Sequence, residues 1–346
     1  MTDIVEGTAG GVRTLVARFP ASVQAWSVPG RRLPESAVGP FPSAIITVDP
    51  DMKTPYAHHA TFGVSRELPG PTAVDVNFVY VHGVNLLGSI DYNPVLPDLG
   101  ANRRPQDRAG VADTSASILQ YTSFAETWYR GLMVRLVRRI RDRSELLVSY
   151  ALSKAEDNAT DLQTNFIPED NGRGRNPDNP NGLPIGFDPA RERGPSLQDQ
   201  RHRFVLSGLI ELPRRFQLSS ILTIASGRPY NILAGADLNG DGNGGTFPPD
   251  RARRNPADPD TSVSRNSGTL PMQSALDMRV SRRWRIGRIT AEGIVEVFNL
   301  FNRTNITERN NIFGTGPYPA SPLPTFGQVE QVGPPLQMQL AIRATF

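Results

Sequence analysis

The stretch "DLNGDGNGG" places Asp237, Asn239 and Asp241 at alternate positions, with Gly242 directly after them. Three oxygen-bearing side chains on a turn that glycine can bend form the first half of a calcium loop, D-x-[DN]-x-[DN]-G. Loop position twelve, where a bidentate acid belongs, is Pro248. The same composition also makes an ordinary turn in a long surface loop. Ca²⁺ is therefore the one metal the sequence puts forward. At Asp237, Asn239 and Asp241 it would bind weakly and need ligands from another loop. A second stretch, "DQRHRF", sets His202 between Arg201 and Arg203, just after Asp199. With no second His or acidic cluster near it in sequence, an ion-pair belt at a strand end is expected rather than a metal site or a base. His58 and His59 are adjacent, so on a strand they point to opposite faces and cannot chelate together. No Ser/His/Asp triad, phosphate loop or paired-carboxylate site stands out. The expectation is a protein that is not an enzyme and carries no cofactor beyond that Ca²⁺.

Composition narrows the class. The 346 residues contain no cysteine, which rules out disulfides, thiolate metal sites and a Cys nucleophile. Lys and Arg number 37 against 34 Asp and Glu, a net charge of +3, which leaves no nucleic-acid footprint. Hydrophobic residues make up 38%, low for a conventional core of this size. No run of about 18 apolar residues is present, so no transmembrane helix is expected. A transmembrane β-barrel shows lipid only every second side chain, and a mean hydropathy of −0.34 is compatible with one. The opening "MTDIVEGTAGGVRTL" has neither a basic n-region nor an apolar h-region. It implies either a cytosolic protein or a chain without its true N-terminus.

The elements that would position these residues are strands. Val74, Val76, Phe78 and Tyr80 alternate with Asp75 and Asn77; Leu146, Val148, Tyr150 and Leu152 alternate with Ser149, Ala151 and Ser153. The same period of two recurs in "WYRGLMVRLVRR", "RFVLSGLIELP", "FQLSSILTIASG", "LDMRVSRRW", "ITAEGIVEVFN" and the closing "LQMQLAIRATF". With "HHATFGVSREL" about nine strands are expected; residues 1–53 are poorly determined, with "SAIITV" as one further strand or part of a loop. Connections alternate between tight ("PGP", "RDRS", "PRR", "RIGR") and long (roughly 84–116, 155–200, 227–274 and 303–335). Long loops at every second connection all fall at one end of an up-and-down sheet. That asymmetry favours a membrane barrel, with short periplasmic turns and long extracellular loops, over a sandwich or propeller.

Read in order, "YRGLMVRLVRR", "ELLVSYALSKAEDN", "DQRHRFVLSGLIELP", "ASGRPYNI", "DLNGDG", "AEGIVEVFNLFNRTN", "FGQV" and "LQMQLAIRATF" resemble the C-terminal half of TonB-dependent outer-membrane receptors. The nearest branch is the Oar-like receptors, whose N-terminus carries a carboxypeptidase-regulatory-like domain. The resemblance covers residues 54–346. It implies an all-β, antiparallel transmembrane barrel portion in the cell outer membrane of a Gram-negative bacterium, in contact with lipid. It implies a signal for the barrel-assembly machinery in Leu340, Ile342, Ala344 and Phe346, with Ala344 departing from the aromatic usual at that place. It also implies a 22-stranded wall and contact with the TonB complex through a plug domain that this chain does not contain. About nine strands are too few to close such a wall, because diameter grows with strand number. The expectation is therefore an incomplete barrel, a receptor fragment whose long loops contact an extracellular substrate the sequence does not name. The alternative is a non-transporting surface barrel or adhesin.

Overall fold

Alternation at period two is realised as nine long strands. They are β1 (Tyr56–Leu68), β2 (Thr72–Asp91), β3 (Ile118–Arg141), β4 (Ser144–Asp157), β5 (His202–Leu212), β6 (Phe216–Ala225), β7 (Gln273–Ile286), β8 (Ile289–Phe298) and β9 (Gln337–Thr345). The structure, a computed structural model, describes residues 4–8, 11–15, 44–93, 104, 118–141, 144–158, 183–184, 189–236, 238, 250–258 and 261–346. Each strand pairs antiparallel with the next in one continuous meander. Among the described residues the wall does not close: β1 pairs only with β2 in the meander, and β9 only with β8. No α-helix occurs among them; Pro189–Glu192 and Pro213–Arg215 are short 3₁₀ turns. The strand Ala44–Val48 pairs in parallel with the loop end of β3 and belongs to the same sheet.

The connections fall as the sequence reading expects. At one end are the turns 69–71, 213–215 and 287–288 and the close approach of Arg141 to Ser144, and from the other end leave all four long connections. The turns reverse the chain through left-handed residues. Gly287 has φ 60°, and Arg214 and Arg215 adopt φ 62° and 64° in a position that non-glycine residues enter only with strain.

Register carries one face across all nine strands. Phe62 stands opposite Phe78, Phe78 opposite Leu132, and Leu132 opposite Leu152. Val148 faces Leu206, Leu206 faces Leu222, and Leu222 faces Leu276. Val280 faces Val295, which faces Leu340. Cross-strand partners share a face, so these residues form one unbroken apolar belt. The belt does not turn inward to a core: Phe62, Leu340 and Ile342 are 71%, 72% and 86% exposed. Within it the Trp284 ring lies against Gly293 of β8, 3.0 Å from where a Cβ would stand, filling the gap the glycine leaves. The opposite face is polar and cross-linked. Ser65 donates to Asp75 at 2.5 Å, Ser281 donates to Glu292 at 2.8 Å, and Arg279 pairs with Glu296 at 3.4 Å. An apolar exterior and a hydrogen-bonded polar interior are the opposite of a water-soluble sheet and suit a wall with lipid outside and water inside.

Candidate functional site

The long connection after β8 starts from a strand end held by asparagine. Asn299 and Asn302, in the stretch "EVFNLFN", both adopt φ 48°, which short polar side chains tolerate. The Asn299 N–H donates to Asp277 Oδ1, and its amide Nδ2 donates to the carbonyls of Arg303 and Pro334. Asn305 exchanges two hydrogen bonds with the backbone of Ser274, at 2.8 and 2.9 Å. These contacts tie the bases of the loops after β6 and β8 to one another.

Above them the loops merge into a packed cap. Tyr230, Ile232, Ala252, Val263, Leu270 and Phe313 form a buried cluster, with Tyr318 and Phe326 against it. The Phe313 ring meets Tyr318 and Phe326 edge-on, with centroids at 5.0 and 5.3 Å. Backbones approach closely: at Gly227 a Cβ would fall 1.7 Å from the Leu270 carbonyl oxygen, so only glycine fits. Burial raises the Tyr230 phenol above its ordinary value, because ionising it there would strand a charge away from water.

Buried ion pairs bind the loop after β4 to the same cap. Arg265 pairs with Asp157 and donates from Nε to the Glu192 carbonyl at 2.8 Å. Arg251 Nη2 meets Glu192 Oε1 at 2.5 Å. The side chains of Arg251, Arg265, Asp157 and Glu192 are all at least nine-tenths buried. Such pairs add little net stability, but losing one partner leaves a buried charge and costs about 3–5 kcal/mol. The cap thus joins an apolar cluster and buried ion pairs at the loop end of the wall.

The candidate residues from sequence sort into four groups. Asp237, Asn239 and Asp241 lie outside the described residues. Next to them the Leu238 N–H donates to Asp250 Oδ2 at 2.6 Å. Among the described residues no group of three or more His, Asp and Glu is placed to hold a metal. In "DQRHRF", Arg201 pairs with Asp199 at 3.6 Å, and His202 Nδ1 lies 2.7 Å from the Tyr150 hydroxyl, which is the expected strand-end belt. His58 and His59 do take opposite faces: in register His58 stands opposite His82, and His59 opposite Val81. Leu340, Ile342 and Ala344 lie on the outer face of β9, the unpaired edge, and Phe346 follows, 93% exposed. The cap core was not readable from alternation. Its signal was the presence of Ile232, Val263, Leu270 and Phe313 inside stretches otherwise rich in Gly, Pro and Asn.

Comparison with known proteins agrees with this architecture. Two solved structures share the fold. One is the outer membrane transporter YddB from Escherichia coli, at 12% identity and a TM-score of 0.53 over 88% of this chain and 34% of that one. The other is a variant of the ferric enterobactin receptor PfeA from Pseudomonas aeruginosa, at 11% identity and a TM-score of 0.51 over 87% of this chain and 32% of that one. The chain therefore spans about a third of the length of the structures it matches. A search of curated proteins gives no match. The family model described as an outer membrane beta barrel domain matches residues 3–339, nearly the whole sequence, and the chain belongs to that family of outer-membrane proteins.

Proposed function

We propose that the chain forms part of the barrel wall and the substrate-contacting loop cap of a TonB-dependent outer-membrane receptor of the Oar-like branch, which imports an extracellular solute. One observation supports this above the others: a lipid-facing wall whose loops after β4, β6 and β8 are consolidated into a packed cap held by buried ion pairs. A wall that only anchored the chain would need no such cap. The TonB complex would act through a plug domain, and the cap would meet the solute first. Leu340, Ile342, Ala344 and Phe346 would serve as the strand read by the barrel-assembly machinery. Their exposed, alternating outer face on an unpaired edge supports that role.

The test compares cells with the intact gene and cells lacking it, following solutes removed from the medium. Import predicts a solute that only the intact strain depletes, and only without a protonophore. A strain difference confined to surface attachment and indifferent to the protonophore would make the protein a non-transporting barrel.

A further inference from the structure

On the outer face the apolar belt stops at one level on β3 and β4. Leu132 faces Leu152, and the next outward pair toward the loop end is Arg130 opposite Lys154. Above it Trp128 faces Glu156, and Glu156 is flanked by Pro195, which brings Arg193 onto the same face. The Glu156 carboxylate receives Lys154 Nζ at 2.6 Å, Arg193 Nη2 at 3.2 Å and Arg130 Nη2 at 3.8 Å. The Arg193 guanidinium lies 4.0 Å over the Trp128 ring. The carboxylate is 13% exposed, whereas the side chains of Arg130, Lys154 and Arg193 are 53%, 38% and 41% exposed. The Glu156 carboxylate therefore sits beneath three cationic heads that stay at the surface. The nearby Glu126 is engaged by His82 at 2.7 Å, and His82 stacks on Trp128.

Cations at the edge of an apolar belt extend their heads to the level of lipid headgroups, and a tryptophan beside them marks that level. We propose that Arg130, Lys154 and Arg193 bind the phosphate of a lipid headgroup in the membrane leaflet at the loop end of the wall. The cluster faces outward, away from any solute inside the barrel. Directly below it, Leu132 and Leu152, then Val134 and Tyr150, supply an apolar track for acyl chains. Charge-assisted contacts from several donors to one phosphate are strong and geometrically selective. The rim at the turn end is different: Arg138 stands opposite Leu146 in register, and Arg282 lies over the rings of Phe216 and Trp284. The inference rests on the barrel family and the register, and it is independent of what the receptor imports.

Native mass spectrometry of the intact protein, purified from outer membranes in mild detergent, tests it. The probes are bisphosphorylated lipid A, its dephosphorylated form and inorganic phosphate. Retention of lipid A should fall at least about tenfold in the triple variant Arg130→Gln/Lys154→Gln/Arg193→Gln. It should hold in Arg138→Gln and in the charge-keeping pair Arg130→Lys/Arg193→Lys. Glu156→Gln removes the competing carboxylate and should strengthen retention. Heat-modifiability on a gel confirms that each variant is folded. Equal retention by a folded triple variant overturns the proposal. So does equal binding of dephosphorylated lipid A, or displacement of lipid A by inorganic phosphate at equal concentration, which would make this a free-anion site.

Discussion

The wall and the cap solve the same problem, burying apolar side chains, in opposite directions. In the wall, buried hydrophobic residues are nearly absent: among the described residues only Ala125 and Ala225 qualify, while Phe62, Phe78, Leu132, Leu152, Val280 and Leu340 stand exposed. In the cap, Ile232, Leu233, Ala252, Val263, Leu270 and Phe313 are each at most 4% exposed. The wall relies on its backbone ladders and on lipid as the apolar phase, because unpaired backbone groups are costly in lipid. The cap has little regular secondary structure and relies on side-chain packing, as a small water-soluble domain does. The difference teaches where each substitution should be felt: cap changes act through packing, and wall changes act through which solvent a face meets.

The largest effect is expected in the cap. Phe313→Ala removes the ring at the centre of the cluster and should cost it about 3–5 kcal/mol. Limited proteolysis should then cut within 306–333 at lower temperature, while the wall stays heat-modifiable. Simultaneous loss of both would show that cap and wall are one cooperative unit. Next comes a polarity test of the wall. Val148→Arg on the lipid face should hinder assembly by about 2–4 kcal/mol near the midplane. Ser149→Arg on the inner face should assemble normally, and equal tolerance at both positions would reject the face assignment.

The smallest effect is a pH dependence. Burial raises the Tyr230 phenol above its ordinary value of 10.0. The cap therefore keeps its full stability below the unfolded value and loses it as pH rises through the folded one. Protease resistance of the cap should fall above about pH 10 in the wild type. Tyr230→Phe, which has no proton to lose there, should lessen that fall; an identical alkaline decline would remove Tyr230 as its source.

Sequence reading reached the wall because lipid imposes a strict period of two. The alternation of Leu146, Val148, Tyr150 and Leu152 survives unchanged into register. It lost β2 near the loop end, where the strand runs on to Asp91 into the stretch read as a loop from about residue 84. There the ladder is irregular between Gly83 and Leu86 and again between Leu86 and Gly88, so parity slips and the pattern dissolves. The turn role of Asn299 and Asn302 was legible, since asparagine favours left-handed backbone. The cap was not, because its ties join distant positions: Arg265 and Asp157 are 108 residues apart. No local pattern announces such a contact. The Arg130, Lys154 and Arg193 cluster was hidden for the same reason, because it exists only once β3, β4 and the segment before Pro195 are in register.

The central claim is that one face of this sheet meets lipid and the other meets water, and the absence of cysteine makes it directly measurable. Single cysteines at each position from 146 to 153 are exposed to a membrane-impermeant, water-soluble maleimide that enters the barrel, in isolated outer membranes. Labelling should rise and fall with a period of two. Leu147, Ser149, Ala151 and Ser153 positions should react, while Leu146, Val148, Tyr150 and Leu152 positions should stay protected until detergent is added. Uniform labelling along the strand, or the reverse parity, would contradict the account.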